Sequence, residues 1–143
     1  MPSIYAYRKY IDPEVIRELR RPLGQSGQHL GTELATLNGI TYVSLPDGST
    51  LPEDQPSEIA DSIAAVTPSP ALIDAIKAAS PLIAHINREV EAEIAQRYPP
   101  SVESKLFRTH LATGMSNEFA EYNVFAEECR ARGREKKAAL GLA

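Results

Sequence analysis

The side chain in this sequence with the greatest intrinsic reactivity is that of Cys129, its only cysteine. It lies in EECRARGREKKAALGLA, residues 127–143, beside arginines that would lower the pKa of an exposed thiol. One option is a reactive thiol with His85 or His110 as its base, although no local signature supports that pairing. The other option is a small buried side chain, because Cys129 falls on the apolar stripe of a predicted helix. A single cysteine excludes an intramolecular disulfide.

Other catalytic and metal-binding patterns are missing from the sequence. The three histidines, His29, His85 and His110, are scattered, and neither an H-E-x-x-H pattern nor zinc-ligand spacing occurs. Glu89 and Glu93 share one side of a predicted helix, which is more typical of a solvated face than of a paired acid and base. We therefore expect no catalytic residues, no enzymatic activity, no metal and no cofactor.

Five cationic side chains lie between residues 130 and 137, so a nucleic-acid-binding role has to be considered. On a helical wheel, Arg130, Arg134 and Lys137 lie on one side of the apolar stripe, whereas Arg132 and Lys136 lie on the other. A helix that reads a groove gathers its cations on one exposed face, and a net charge of −4 disfavours phosphate binding. The pattern instead favours a helix packed against another helix, with charges along its edges. We expect no nucleic-acid partner.

The glycine-rich segment GQSGQHLG, residues 24–31, allows two interpretations. It is typical of a flexible connector, and its glycines could also form an anion-binding nest, although it matches no phosphate-loop pattern. A nest together with the cations of residues 130–137 would suit a small anionic ligand.

The N-terminal third contains the strand signals. ELATLNGITYVSLPDG predicts a β-hairpin over 33–45, because Asn38-Gly39 suits both central positions of a type I′ turn. SIYAYRKY, residues 3–10, predicts a further strand that would cover the hairpin. Asp12-Pro13-Glu14 resembles a helix start and predicts a short helix over 13–21.

From residue 69 onward the pattern is helical. Ser69-Pro70 and Ser80-Pro81 each supply a capping hydroxyl before a proline. A helix over 81–98 has an apolar stripe of Leu82, Ile83, Ile86, Val90, Ile94 and Tyr98. A third helix is expected to begin at Ser101 and end at Gly114, with Val102, Leu106 and Leu111 pointing inward. The last helix is expected from Ser116 to about Leu140, with a stripe of Phe119, Tyr122, Ala126, Cys129, Gly133 and Leu140.

These elements predict a mostly helical α+β protein, in which an N-terminal β-hairpin or small antiparallel sheet precedes a C-terminal helical hairpin or bundle. The predicted divisions are a β-rich module over 1–50, a Pro-rich linker over 51–68 that allows a short helix at 57–66, and a helical domain over 69–143. A hydrophobic content of 43% is ordinary for a globular chain. No signal-like or membrane-spanning apolar run occurs, so we expect a soluble intracellular protein without membrane contact.

The C-terminal half resembles a known group of proteins. The order AIKAASPLIAHINREVEAEIAQRY, SKLFR, EFAEYNVFAEECRARGREKKAALGL is similar to that of small proteins encoded among the tail and tail-fibre genes of tailed bacteriophages. Many of those share the ending E-Y-N-x-aromatic-x-E-x-C-R-x-x-G-R-x-x-K-x-x-L-G-L. The matching positions are Glu121, Tyr122, Asn123, Phe125, Glu127, Cys129, Arg130, Gly133, Arg134, Lys137, Leu140, Gly141 and Leu142. The resemblance covers about residues 72–142.

The resemblance implies a non-enzymatic tail-associated structural protein, or a chaperone-like protein of tail-fibre assembly. Its partner would be another tail or tail-fibre protein, met in the host cytoplasm during assembly or in the virion tail. Aromatic side chains flanked by arginine are typical of interface hot spots, so we expect a homo-oligomer and protein-interaction residues on the last helix. The predicted interaction residues are Phe119, Tyr122, Phe125, Arg130, Arg134 and Lys137. The alternative is a phage-encoded anti-defence protein that binds a small anionic, nucleotide-like ligand or a host defence protein.

Overall fold

A computed structural model describes residues 1–143 and has an α+β fold, which confirms the predicted class. The strands are β1 (Ser3–Tyr7), β2 (Tyr10–Asp12), β3 (Val15–Ile16), β4 (Thr32–Leu37), β5 (Ile40–Leu45) and β6 (Ala64–Val66). The helices are α1 (Ser57–Ala60), α2 (Pro70–Ala79), α3 (Pro81–Arg97), α4 (Pro100–Thr113) and α5 (Asn117–Ala138).

The chain divides into two compact units that differ from the predicted divisions. Unit 1 comprises Met1–Ala84 together with Lys137–Ala143, and unit 2 comprises His85–Lys136. The sequence pattern assigned α2 to a helical domain, but α2 packs against β4 and therefore belongs with the sheet. Apolar periodicity identifies a helix without identifying the surface that the helix covers.

The predicted hairpin of unit 1 is confirmed. Strands β4 and β5 pair antiparallel with Leu37 opposite Ile40, and the two residues between them form the turn. Asn38 and Gly39 have φ angles of 51° and 79°. Positive φ at both positions is what a type I′ turn requires, and asparagine and glycine tolerate it best.

The hairpin is extended into a four-stranded antiparallel sheet in the order β4-β5-β1-β6. The predicted first strand, β1, pairs with β5 from Ser3 opposite Leu45 to Tyr7 opposite Thr41. On its other side β1 pairs with β6, which lies in the segment predicted as a linker. The segment 51–68 therefore contains the short helix α1 and strand β6, and α1 ends at Ala60 instead of extending over the whole of 57–66. Strand β6 was not predicted because it has only three residues between proline-rich segments, which is too short to show an alternating apolar pattern.

The predicted helix over 13–21 was also wrong. Residues 10–16 form the small β2–β3 hairpin, in which Tyr10 pairs with Ile16. The Asp12 carboxylate accepts the backbone N–H groups of Glu14 and Val15, at 2.8 and 2.9 Å. An aspartate before proline makes the same contacts at a helix start and in a tight turn, and here the chain reverses.

The core of unit 1 lies between the sheet and the segments that cross it. Its fully buried side chains come from β1, β5, α1 and the chain between β3 and β4, namely Tyr7, Leu19, Val43, Leu45 and Ile59. Burial of these side chains explains why the short strands are stable together, although an isolated hairpin is marginal in water.

Serine caps begin three of the four long helices as predicted. Each hydroxyl of Ser69, Ser80 and Ser116 accepts the backbone N–H three residues later, at 3.2, 3.4 and 3.1 Å. Helix α4 differs, because it begins at Pro100 and not after Ser101. The Pro99 carbonyl accepts the N–H groups of Val102 and Glu103 at 2.9 and 3.0 Å, so the first turn closes without a serine cap.

The end of α5 is also encoded locally. Gly141 has a φ of 80°, its N–H donates to the Ala138 carbonyl, and the Leu142 N–H donates to the Lys137 carbonyl. These two bonds define a Schellman motif, which glycine favours because it tolerates positive φ. Within unit 1, a Cβ atom at Gly141 would lie 3.4 Å from the Ile4 side chain, so the C-terminal segment packs against β1.

Candidate protein-interaction surface of unit 2

The apolar stripe of α5 is the centre of unit 2. Phe119, Tyr122, Ala126, Cys129 and Gly133 are all buried, in agreement with the predicted stripe. They pack against the Ile94 region of α3 and the Leu106 region of α4. The spacing of three and four residues thus identified the buried side of α5 correctly.

Gly133 allows α3 and α5 to approach closely. A Cβ atom at this position would lie 2.8 Å from the Cγ2 atom of Val90. That distance is shorter than a normal contact, and the β-branched Val90 side chain has few rotamers with which to move away. Glycine is therefore required here for packing between the two helices.

Two predicted interaction residues, Phe119 and Tyr122, belong to an aromatic cluster inside unit 2. Phe107 of α4 lies edge-on to both rings, with centroid distances of 5.4 and 5.7 Å, and Tyr98 of α3 lies 5.1 Å from Tyr122. Such edge-to-face contacts add to the stability that burial gives. Both rings are used within the chain, so neither presents a surface to another protein in this conformation.

The Tyr122 hydroxyl also links α5 to α4. It donates to the Glu103 carboxylate at 2.6 Å. Burial raises the pKa of the Tyr122 phenol, and the hydrogen bond to Glu103 acts in the same direction. The neutral phenol is therefore the stable form, and it positions α4 against α5.

The third predicted aromatic contact residue, Phe125, lies at the edge of this cluster. Its ring is half-buried and tilted against Tyr98 at a centroid distance of 5.8 Å. The Arg97 guanidinium lies 4.6 Å from the Phe125 ring centroid, within the range of a cation–π interaction. Phe125 thus retains part of its surface for other contacts.

One side of the cationic segment pairs with acids of α3. Arg132 pairs with Glu93, and Lys136 pairs with Glu89 at 3.3 Å. These hydrogen bonds lower the pKa of both carboxyl groups. His85 adds to the row, since its Nε2 lies 3.0 Å from Glu89.

These ion pairs form a short ladder between α3 and α5, which the sequence analysis did not predict. Glu89 and Glu93 were predicted to form a solvated face. Their carboxylates are indeed half exposed, but each is also paired with a cation of α5. The sequence does contain a signal for this ladder. Two acidic residues lie four residues apart on α3, Glu89 and Glu93, and two basic residues lie four residues apart on α5, Arg132 and Lys136.

The other three cations, which were predicted to contact a partner, have different environments. Arg134 pairs with Glu127 on its own helix, and Arg130 is exposed without an ion pair. Lys137 is half-buried, and its carbonyl accepts the capping N–H of Leu142. Of the predicted cationic site, Arg130 is thus the side chain most available to a partner.

Cys129 is a buried packing residue. Only 1% of its surface is exposed. Burial raises the pKa of its thiol, and a hydrogen bond to Glu93 adds to this, while Arg132 acts in the opposite direction. His110 stacks on Phe119 at 4.2 Å, ten residues and about 15 Å along α5 from Cys129. The geometry therefore favours the buried interpretation over the reactive pair.

Helix α4 exposes apolar side chains that the sequence analysis placed inside. Val102 and Leu111 were predicted to point inward, but they are 42% and 84% exposed, and this prediction was wrong. Phe107 is 43% exposed, and Met115, just beyond the helix, is 64% exposed. Residues 103, 106 and 110 face the core in their place. The predicted orientation of Val102 and Leu111 was wrong because α4 contacts its neighbours through one narrow side only.

The glycine-rich segment 24–31 is an ordered turn. The Gly24 N–H donates to the Gln28 carbonyl at 2.7 Å, and the Gly27 N–H donates to the Gly24 carbonyl at 3.0 Å. Leu23 and His29 also form an isolated antiparallel bridge. Amides that are bonded within the turn are not free for an anion, so the geometry disfavours a nest.

Unit 1 contains a small polar pocket of about 150 Å³ that sequence reasoning missed. The Lys9 ammonium lies there, 2.9 Å from Glu33 and 3.7 Å from Glu18. The hydrogen bond to Glu33 raises the pKa of Lys9. Arg21 donates to the Gly31 carbonyl. The cations of this pocket are thus already matched by protein acceptors, which is typical of a structural ion-pair cluster.

Comparison with known proteins adds no family to this description, since no protein-family model, curated protein or solved structure matches the chain. The structure brings together no group of three metal-binding side chains. None of its helices combines the length and the apolar character needed to cross a bilayer.

Proposed function

We propose that this chain is a non-enzymatic bacteriophage tail-associated protein, of the structural or tail-fibre assembly type, that acts through protein–protein contacts. The observation that carries the contact function is the exposure of Phe107, Leu111 and Met115 at α4. Large apolar side chains exposed together on a small protein are typical of surfaces that meet another protein. The tail assignment rests on the resemblance of residues 72–142.

The structural positions of the shared ending support a common fold. Tyr122, Cys129 and Gly133 are buried between helices, while Gly141 and Leu142 form the cap of α5. An ending of this kind specifies how the last helix packs and stops. The exposed surface of α4 and the exposed Arg130 would then determine which tail protein is bound.

The same geometry weakens the alternative of an anionic small-molecule binder. Arg132 and Lys136 already pair with Glu93 and Glu89, and the amides of Gly24 and Gly27 are bonded within their own turn. We therefore do not propose a second function. The expected location is the host cytoplasm during tail assembly or the tail itself.

Coexpression tests this proposal. The chain is coexpressed with a tail-fibre or tail-tip protein of the same genome, and copurification and partner solubility are measured. We expect a stable complex or a more soluble partner, weakened by Leu111→Asp and by Arg130→Glu. The control is Arg88→Glu, because Arg88 is exposed on α3 away from both residues. The proposal is overturned if two results occur together. No such partner copurifies or gains solubility, and mass spectrometry does not detect the chain in purified particles.

A further inference from the structure

The outward faces of α4 and α5 have opposite charge. On α4, the exposed residues Lys105, Arg108 and Leu111 follow one another at spacings of three residues, so they share one side of the helix. None of the ion pairs of unit 2 uses either cation. We call this group of three residues the α4 basic face.

The corresponding surface of α5 is acidic. Glu121, Val124, Glu128, Ala131 and Glu135 follow one another at alternating spacings of three and four residues, so they share one side of the helix. Val124 is 60% exposed, and the three glutamates are exposed and outside the ion pairs of unit 2. We call this group the α5 acidic stripe.

These two surfaces cannot meet within one chain. Helices α4 and α5 pack through other residues, since His110 and Phe107 contact Phe119 and Glu103 bonds to Tyr122. Val124 follows Tyr122 by two residues, which places it about 200° around the helix axis from the buried stripe. The α5 acidic stripe therefore points away from α4.

We infer that a second copy of this chain docks here, with the α4 basic face of one copy against the α5 acidic stripe of the other. Each surface combines an exposed apolar side chain, Leu111 on α4 and Val124 on α5, with charges, and the charges of one surface complement those of the other. The contact joins two different surfaces that point away from each other within one chain, so it is a head-to-tail contact between copies of the 15.6 kDa chain. The inference concerns the purified chain alone and does not depend on the tail assignment.

The location differs from the one expected from the sequence. The sequence predicted self-association through residues of the last helix, namely Phe119, Tyr122, Phe125, Arg130, Arg134 and Lys137. In the structure Phe119 and Tyr122 are buried and Phe125 is half-buried, whereas the α4 basic face and the α5 acidic stripe remain open. The surfaces that lack a partner within the chain are the ones that a second copy can cover.

Two charge-reversed variants test the inference by analytical ultracentrifugation. Lys105→Glu/Arg108→Glu makes both surfaces acidic, and Glu121→Lys/Glu128→Lys makes both basic. We expect each variant alone to associate at least roughly tenfold more weakly than the parent, because like charges then face each other. Mixing the two variants should restore association, since the acidic α4 of one then meets the basic α5 of the other. Misfolding of a variant could not produce that recovery.

A matched pair of apolar substitutions tests the same contact without changing charge. Leu111→Ser should weaken self-association, whereas Val102→Ser should not, because nine residues place Val102 on the opposite side of α4. Both residues are exposed, so circular dichroism should show both variants folded.

The inference is overturned if the parent is monomeric at about 1 mM. It is equally overturned if either reversed variant self-associates as well as the parent, or if the mixture stays monomeric. A monomeric parent would overturn this inference alone, because the coexpression experiment measures capture of a tail protein and not self-association.

Discussion

Helices α4 and α5 have opposite relations to the rest of unit 2. The sequence pattern made α5 the candidate contact helix, yet its aromatic residues Phe119 and Tyr122 are buried. The same pattern turned Leu111 of α4 inward, yet it is one of the most exposed apolar residues of the chain. Helix α5 has neighbours on two sides, α3 and α4, whereas α4 contacts α5 through a narrow side. The number of neighbours, and not the apolar pattern, decides whether a stripe is core or surface.

The largest expected effect contrasts one aromatic residue of α5 with one apolar residue of α4. Phe119→Ala should lower the free energy of unfolding by about 3–5 kcal/mol, because it removes a buried ring and leaves a cavity. Leu111→Ala should change it by less than about 0.5 kcal/mol, because Leu111 is already in water. Denaturant unfolding at low protein concentration, where any oligomer is dissociated, measures both. Equal losses for the two variants would contradict the contrast between the helices.

The next effect concerns the close approach of α3 to α5. Gly133→Ala should destabilise the protein by about 1–2 kcal/mol, although alanine favours a helix by about 1 kcal/mol, because its methyl group collides with Val90. In a Val90→Ala background the collision is gone, so the same substitution should become stabilising. Chemical denaturation of the four proteins of this cycle provides the measurement. A stabilising Gly133→Ala in the parent background would show that the two helices are not tightly packed.

A smaller effect is expected where a single hydrogen bond joins α4 to α5. Tyr122→Phe keeps the aromatic contacts and removes the hydroxyl that donates to Glu103. The expected loss is about 1–2 kcal/mol, since the bond involves a charged acceptor. Tyr98→Phe is the control, because it removes a hydroxyl from the neighbouring half-buried ring. If the two variants unfold at the same midpoint, the bond to Glu103 does not hold α4 in place.

Features that depend on a few adjacent residues could be predicted from the sequence. The Asn38-Gly39 turn, the serine caps at residues 69, 80 and 116, and the glycine that ends α5 each act through bonds within six residues. Those signals need no knowledge of the rest of the fold. The buried stripe of α5 was found for a related reason, since helical periodicity is also local.

Features that depend on distant partners could not be predicted in this way. Strand β6 is recognisable only because β1 offers an open edge, and Asp12 makes a turn or a helix cap according to where the chain goes next. The exposed α4 face and the ladder from Glu93 to Arg132 likewise depend on which helices meet. Opposite charges at matching spacing were visible in the sequence, but their pairing needed the arrangement of the helices.

The smallest expected effect concerns the ladder between α3 and α5 and its dependence on pH. Glu89 and Glu93 have pKa values lowered from their usual 4.5 in the folded chain, by hydrogen bonds from Lys136 and Arg132. As the pH falls, the unfolded chain therefore binds protons at these two carboxylates before the folded chain does. The two groups stabilise the fold above about pH 4.5 and lose that contribution as the pH falls through their folded pKa values.

The double variant Glu89→Gln/Glu93→Gln should be less stable than the parent at pH 6, and its stability should fall less between pH 6 and pH 3. Glu91→Gln is the control, since Glu91 is exposed on α3 and belongs to no ion pair of the ladder. Denaturation midpoints at each pH give the measurement. A double variant whose acid dependence matches that of Glu91→Gln would show that the charges between α3 and α5 leave stability unchanged, and that the contrast between the helices rests on their apolar contacts alone.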